Sequence, residues 1–289
     1  MSKITKGLSG EKRSKMILTI VFTVISIIYV LPVFFVALNS FKVNTFVKTD
    51  TFGWPSGESF AGWANFVKGM TFGNYPFMKS VMYSAAITIF STALILLFTS
   101  MAAWYIARVN SLACKVVYFG CIFSMVIPFQ VLMVPLVSVY GGTLGVLNHR
   151  LTLILLHVGF SVSMAMFMFH GAIKTNIPME LEEAATIDGC SRWQTWWKVV
   201  FPLLKPTIAT VAIINAMAYW NDYLLPSLVL TKKELYTIPI ATQAFYGTYS
   251  TDIGLVMAAL LLAMLPILIL YVFLQRYIVE GVTSGAVKG

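Results

Sequence analysis

Six apolar runs, at 16–40, 80–107, 114–139, 151–173, 205–230 and 253–278, each reach the length of about 20 residues that a helix needs to cross a bilayer core about 30 Å thick. Lipid offers no water to satisfy free backbone groups, so runs of this kind are expected to be helices. Only short polar connections separate them. The chain is 58% hydrophobic and 11% charged, with a mean hydropathy of +0.83, whereas a soluble domain carries roughly 25% charged residues. No stretch is left for a second, soluble domain. The expected fold is all-α: a short N-terminal segment at 1–15, a six-helix transmembrane domain at 16–278 with a loop at 174–204, and a tail at 279–289.

The first run follows Lys3, Lys6, Lys12, Arg13 and Lys15. It is too long for the core of a signal peptide and no small-residue cleavage site follows it, so it reads as a retained first span. The net charge of +9 does not point to nucleic acid, because the basic residues form no stripe interleaved with aromatics. They gather at the N-terminus and in the connections, and that distribution is topological. Six spans put both termini on one side, and thirteen Lys and Arg fall on that side against seven on the other. The excess places both termini in the cytoplasm. The three cysteines, Cys114, Cys121 and Cys190, are odd in number and lack a CxxC pair; they are expected as free thiols, neither disulfide nor metal site.

The longest external connection, 41–79, holds Trp54, Trp63, Phe66, Phe72 and Tyr75. It reads either as an interfacial helix with turns or as a contact with a partner protein. Between spans four and five, Lys174 to Pro202 carries the local signals of two short cytoplasmic helices. Pro178 suits a first helical turn, and Glu180, Glu182 and Glu183 follow where carboxylates complement the helix dipole. Gly189 supplies a C-terminal cap, and Ser191-Arg-Trp-Gln194 has the spacing of a capping box that opens the second helix. Pro202 and Pro206 close it. Met179, Leu181, Ala184, Ala185 and Ile187 give the first helix a small, apolar surface able to enter a groove on another protein. Trp193, Trp196 and Trp197 are expected to lie back on the membrane interface.

Within the spans, a charge near the bilayer centre costs at least roughly 2.5–3.5 kcal/mol, so Asp222 should face a pathway, a partner or the interface. With Gln130, Trp220, Asn221 and Tyr223 it forms a candidate substrate-contacting cluster; the alternative is that Asp222 caps a helix break ahead of Pro226. Pro128, Pro135 and Pro226 are candidate kinks. His157 and His170 in span four read as packed or interfacial side chains. No Walker A glycines, metal-ligand cluster or catalytic triad is evident, so enzyme chemistry is not expected.

Glu183-Ala184-Ala185, then Asp188-Gly189, then after nine residues Val199, Phe201 and Pro202 resembles the EAA loop of ABC importer permeases, with Val and Phe for the usual Ile and Leu and Cys190 where a small residue is common. Asn221-Asp222-Tyr223, the segment Met125 to Pro135 and the ending Gln275 to Gly289 are similar to the sugar-importer branch, in particular to the shorter of the paired permeases of the maltose and multiple-sugar type. The resemblance implies the type I importer permease fold and a multi-pass inner-membrane subunit that translocates an oligosaccharide. It implies that Glu183, Ala184, Ala185, Asp188, Gly189 and Pro202 belong to the loop that docks on a cytoplasmic ATPase, and that Ser284, Gly285, Lys288 and Gly289 are a candidate second contact with it, the alternative being a disordered tail. The implied partners are a second permease, two ATPase subunits, an extracellular sugar-binding protein and membrane lipid. No cofactor is expected on this chain, ATP and Mg being used by the ATPase. Two rival functions, an ion-coupled secondary transporter and a membrane-embedded enzyme, would need intramembrane carboxylates or converging His, Asp and Glu residues.

Overall fold

The computed structural model describes the backbone of residues 2–71, 77–249 and 252–286, and the side chains of these apart from residues 2–11, 71, 244–249, 270 and 273–286. Among the described residues regular structure is helical, and the one β feature is an isolated bridge between Lys42 and Phe60. The helices are α1 (Ser2–Ser40), α2 (Asn44–Thr49), α3 (Ala64–Thr71), α4 (Phe77–Arg108), α5 (Leu112–Ser124), α6 (Phe129–Thr143), α7 (Arg150–Asn176), α8 (Met179–Ile187), α9 (Arg192–Leu203), α10 (Lys205–Asn221), α11 (Leu224–Val229), α12 (Ile238–Tyr249) and α13 (Ile253–Ala286). The last turns of α6, from Val137, and the middle of α9, Trp196–Val200, are π-helical.

The six expected spans take several forms. Among the described residues three unbroken helices are long and apolar enough to cross a membrane: Lys12–Ser40 of α1, α4 and α7. Two further pairs pass only together, α5 with α6 bent by 99° and α9 with α10 bent by 77°, which brings the number among the described residues to at most five; Ile253–Ile269 of α13 is a shorter apolar stretch. The third apolar run is therefore not one continuous helix. The amides of Met125, Val126 and Ile127 bond back three residues, to Ile122, Phe123 and Ser124, and Pro128 then takes an extended ψ of 136° at the N-cap of α6. Proline disfavours helical backbone in the residue before it and donates no hydrogen bond, so the break sits where those two effects coincide. The fifth run breaks at Asp222, four residues ahead of Pro226, where the ring would meet the i−4 carbonyl of a continuous helix. Pro226 itself lies in the first turns of α11 and is tolerated.

The chain divides into two compact units, residues 1–71 with 245–262 and residues 72–244 with 263–289. In the first, the apolar window of α1 is wholly exposed, from Met16 to Leu31, as suits a helix whose partner is lipid or another chain. The connection after it is a folded cap. Lys42 is fully buried, and its Nζ donates to the carbonyl of Asp50 at 2.6 Å. Asn65, also buried, donates to the carbonyls of Ser40 and Lys42, both at 2.9 Å. The side chain of Asn44 accepts from the amide of Ile253 at the start of α13, at 2.9 Å. Phe41, Trp63 and Phe66 pack ring to ring. The expected helix with turns is present as α2 and α3, joined by turns and pinned by buried polar groups, while Phe52, Trp54 and Trp63 remain exposed.

In the second unit α7 packs along α4, with α5 and α10 beside them. The reason is visible in α4: Ser80, Ser84, Thr88, Ser91, Ile95, Thr99 and Ala103 are buried at intervals of three or four residues, with Ile87 and Ser100 beside them. Small side chains let helices approach closely in lipid, where the hydrophobic effect gives little reason to associate. Phe90 and Phe98 point outward instead. Two apolar clusters result. One gathers Ile95, Phe169, Ile173, Trp196, Val200, Leu204 and Val211 beneath α8 and α9; the other gathers Ile87, Leu136, Leu153, Leu156, Leu225 and Ile240.

Candidate functional site

The loop between α7 and α10 is built from local caps. Pro178 stands at the N-cap of α8 with extended backbone, and Glu180 and Glu182 occupy the first turn. The helix ends at Asp188, and Gly189 has φ of +81°, a left-handed conformation that costs a residue with a Cβ roughly 1–2 kcal/mol. The amide of Cys190 reaches back to the carbonyl of Ala185 at 2.9 Å. Ser191 and Gln194 form a reciprocal capping box: Ser191 Oγ accepts from the amide of Gln194 at 3.3 Å, and Gln194 Oε1 from the amide of Ser191 at 2.8 Å. Pro202 lies exposed in the last turn of α9, just before the bend at Leu204.

Of the residues expected to face a partner, Glu183, Ala184, Asp188 and Gly189 are exposed, together with Met179, Leu181 and Ile187, the last 86% exposed. Ala185 is not among them. It is 7% exposed and turns into the chain, because it lies one short turn from Glu182 on the same inward stripe. The tryptophan expectation also needs correction. Trp193 and Trp197 are half-exposed, but Trp196 is buried in the apolar cluster under the loop, against Trp193 at 5.1 Å and Phe201 at 5.0 Å. It is a core residue, and the π-helical turn that begins there offsets it from its neighbours.

The residue that fixes α8 is Glu182, which the sequence places in the first turn but does not mark as buried. Its Oε2 accepts from Trp104 Nε1 at 2.9 Å, and its Oε1 accepts from Arg108 Nε at 2.9 Å and Nη2 at 2.7 Å. Arg108 Nη2 also donates to the carbonyl of Ile177 at 2.8 Å. A charge-assisted, forked pair of this kind is short and directional. Two groups at the end of α4 thus hold the start of α8 and the end of α7 together. A groove of about 710 Å³ runs beside them, lined in part by Trp104, Arg108, Glu183, Ile187 and Cys190.

A second concavity, about 590 Å³, opens where both broken helices break. Its wall includes Ser124, Phe129, His157, Phe160, Tyr219 and Asp222. His157 Nε2 lies 3.1 Å from Asp222 Oδ2, the ring of Tyr219 stacks on His157 at 4.5 Å, and Tyr219 Oη donates to the His157 carbonyl at 3.3 Å. Asp222 Oδ1 meanwhile accepts from the amide of Leu225 at 3.4 Å, so Asp222 both ends α10 and starts α11. The helix-break reading of Asp222 is the one this geometry carries, and the same carboxylate lines the cavity. Its expected companions stand elsewhere: Trp220 is buried, Gln130, Asn221 and Tyr223 are exposed, and none of the four lines this cavity. His157, expected as a packed or interfacial side chain, is buried; no signal in the sequence links it to Asp222, 65 residues away.

Lys288 and Gly289 lie outside the described residues, and Ser284 and Gly285 are described only as backbone of α13, which continues to Ala286. The three cysteines are unpaired. Among the described residues no group of three or more His, Cys, Asp or Glu side chains is arranged to hold a metal ion.

Comparison with known proteins gives this arrangement a family. The "Probable starch degradation products transport system permease protein AmyC" of Thermoanaerobacterium thermosulfurigenes is 36% identical, over 95% of this chain and 97% of its own length. The multiple sugar-binding transport system permease protein MsmG of Streptococcus mutans is 32% identical over 93% of this chain and 95% of its own. The chain of a crystal structure of a bacterial ABC transporter involved in the import of the acidic polysaccharide alginate shares the fold, with a TM-score of 0.72 over 93% of this chain and 97% of that one, at 20% identity. Residues 95–284, which include α8, Gly189 and the His157–Asp222 cavity, match the family of binding-protein-dependent transport system inner membrane components, and the chain is a member of that family, a non-enzymatic permease subunit of an ABC importer.

Proposed function

We propose that this chain forms one half of the membrane pathway of an ATP-driven oligosaccharide importer, receiving its sugar from an extracellular binding protein and its energy through α8 from a cytoplasmic ATPase. The observation that carries the proposal is the presentation of α8. Its outer face carries Met179, Glu183, Ala184 and Ile187, all exposed, while its inner face is fixed by Glu182. A short helix held rigidly from behind and apolar in front suits insertion into a groove of another protein. Glu183 then pairs with a basic group of the ATPase, Ala184 permits close approach, and Gly189 provides the turn. ATP and Mg are used by that partner.

The sugar class rests on the relatives, which include, besides AmyC and MsmG, the melibiose/raffinose/stachyose import permease protein MelC of Bacillus subtilis, 32% identical over 97% of this chain. Both termini are cytoplasmic, from the excess of Lys and Arg on their side. The exposed apolar length of α1 faces lipid and a second, related permease, and the two enclose the pathway. Asp222, with His157 and Tyr219, stands on the pathway wall.

Co-expression with candidate ATPase, second-permease and binding-protein subunits, followed by purification and reconstitution into liposomes, tests the proposal. The expected result is a stable complex whose ATP hydrolysis rises when the sugar-loaded binding protein is added. Uptake of sugar by this chain alone, without ATPase, would overturn it.

A further inference from the structure

We propose that Arg108, Glu182 and Trp104 are positioning residues that make α4 move with α8, so that displacement of the docking helix reaches the membrane through α4 as well as through the direct chain connections. The proposal rests on the reading of α8 as the ATPase-docking element and adds the route by which its motion enters the spans.

By the chain alone α8 has two soft attachments. On one side Ile177 and Pro178 have extended backbone; on the other Gly189 sits in a left-handed turn with open space where a Cβ would lie. A helix hung between two such joints can tilt without moving its neighbours. The groups at the end of α4 remove that freedom. The Glu182 side chain is 11% exposed and that of Arg108 17%, and both carboxylate oxygens are engaged, Oε2 by the indole and Oε1 by two guanidinium nitrogens. The same guanidinium holds the Ile177 carbonyl at the end of α7. The end of α4 thus meets the end of α7 and the start of α8, 74 residues on, at one forked cation.

Moving α8 while α4 stays would strip a largely buried carboxylate of three charge-assisted or indole hydrogen bonds. α4 is a suitable receiver. At 32 residues and about 1.5 Å per residue it spans the membrane, its small-residue stripe packs along α7, and near its other end Ser84 Oγ accepts from the amide of Ile238 at 2.8 Å. Glu183, one residue and about 100° further round the helix, is exposed, so one carboxylate of α8 is held by the spans and the next is left for the partner.

The test uses the complete transporter in liposomes and compares the wild type with Glu182→Gln, Arg108→Lys and the exchanged pair Arg108→Glu with Glu182→Arg. Subunit recovery, ATP hydrolysis and sugar uptake are measured on each. Glu182→Gln and Arg108→Lys should assemble with the ATPase and hydrolyse ATP near the wild-type rate while uptake per ATP falls about tenfold, within the usual range of coupling between sites. The exchanged pair should recover part of that loss. A solely structural role would lower complex yield and leave uptake per ATP unchanged in what assembles; that result in either single variant overturns the proposal. A single variant that fails to assemble is replaced by a cysteine cross-link between the end of α4 and α8 in the wild type, which should leave uptake per ATP intact if the two move together and abolish it if they do not. Failure of the docking reading is separate: the wild type would then recover no ATPase at all.

Discussion

His157 Nε2 lies 3.1 Å from Asp222 Oδ2, and this contact ties the middle of α7 to the two-residue gap between α10 and α11. The His157 side chain is 4% exposed and that of Asp222 24%. The carboxylate has a second task, accepting from the amide of Leu225. One side chain therefore accepts from the first turn of the next helix and holds a buried imidazole, at a site where proline has already removed the continuous backbone ladder.

Replacing Asp222 with Ala should cost about 1–3 kcal/mol, because it leaves His157 Nε2 buried without a partner and the first turn of α11 uncapped. Asp222→Asn keeps an acceptor for Leu225 and a polar group for His157, so it should lose less. Thermal unfolding of the detergent-purified chain orders the two variants. Uptake measured on complexes that assemble normally then separates the pathway role from the structural one: normal uptake by Asp222→Ala would remove Asp222 from the pathway.

Gly189→Val should place a β-branched residue at φ of +81°, where strain alone costs roughly 1–2 kcal/mol. No neighbouring atom lies within 4 Å of the position a Cβ would take, so the effect is one of backbone conformation rather than of collision. Gly189→Asn, which tolerates the left-handed region, should therefore retain most of the coupling of ATP hydrolysis to uptake while Gly189→Val loses it. Equal behaviour of the two variants would place the function of Gly189 elsewhere.

The loop that carries both Gly189 and the capping box was legible in the sequence because each of its signals is local. Pro178, Gly189 and the Ser191–Gln194 pair act within one turn of where they stand, and the backbone follows them. The contacts that give the loop its mechanical character were not legible: Arg108 and Glu182 are 74 residues apart, and His157 and Asp222 are 65 apart. In a soluble protein the apolar face of each helix would have narrowed the pairing, but here both lipid and core accept apolar side chains. Hydropathy finds a membrane run without showing which side of it is buried. For the same reason the third apolar run showed no interruption, and only Pro128 hinted at the break before α6. A better clue lay in the small residues of α4, whose spacing marks the buried stripe that hydropathy misses.

Ser191→Ala should remove one hydrogen bond of the reciprocal box and cost about 1 kcal/mol. The loss is confined to the start of α9, since Trp196 and Val200 still anchor the helix in the apolar cluster below. Hydrogen exchange should show faster exchange of the amide of Gln194, the donor to Ser191 Oγ, with the amides of α7 unchanged. Uniformly faster exchange through α7 would mean that the cap supports the whole unit.

Gly254→Ala should disturb the folded cap after α1. A Cβ there would lie 2.7 Å from the Lys42 carbonyl oxygen and 3.1 Å from Asn65 Nδ2, and neither can retreat easily: that carbonyl accepts from Asn65, and Lys42 is itself buried with its Nζ on Asp50. Overpacking of this kind costs about 1–3 kcal/mol. Gly171→Ala is the matched control, because Gly171 lies inside α7 with open space where its Cβ would be, and there alanine should stabilise the helix by roughly 0.5–1 kcal/mol. Thermal unfolding of the two variants should therefore shift in opposite directions. A Gly254→Ala protein as stable as the wild type would show that the Lys42–Asn65 clamp yields without loss, and that the buried lysine is not what holds the cap to the start of α13.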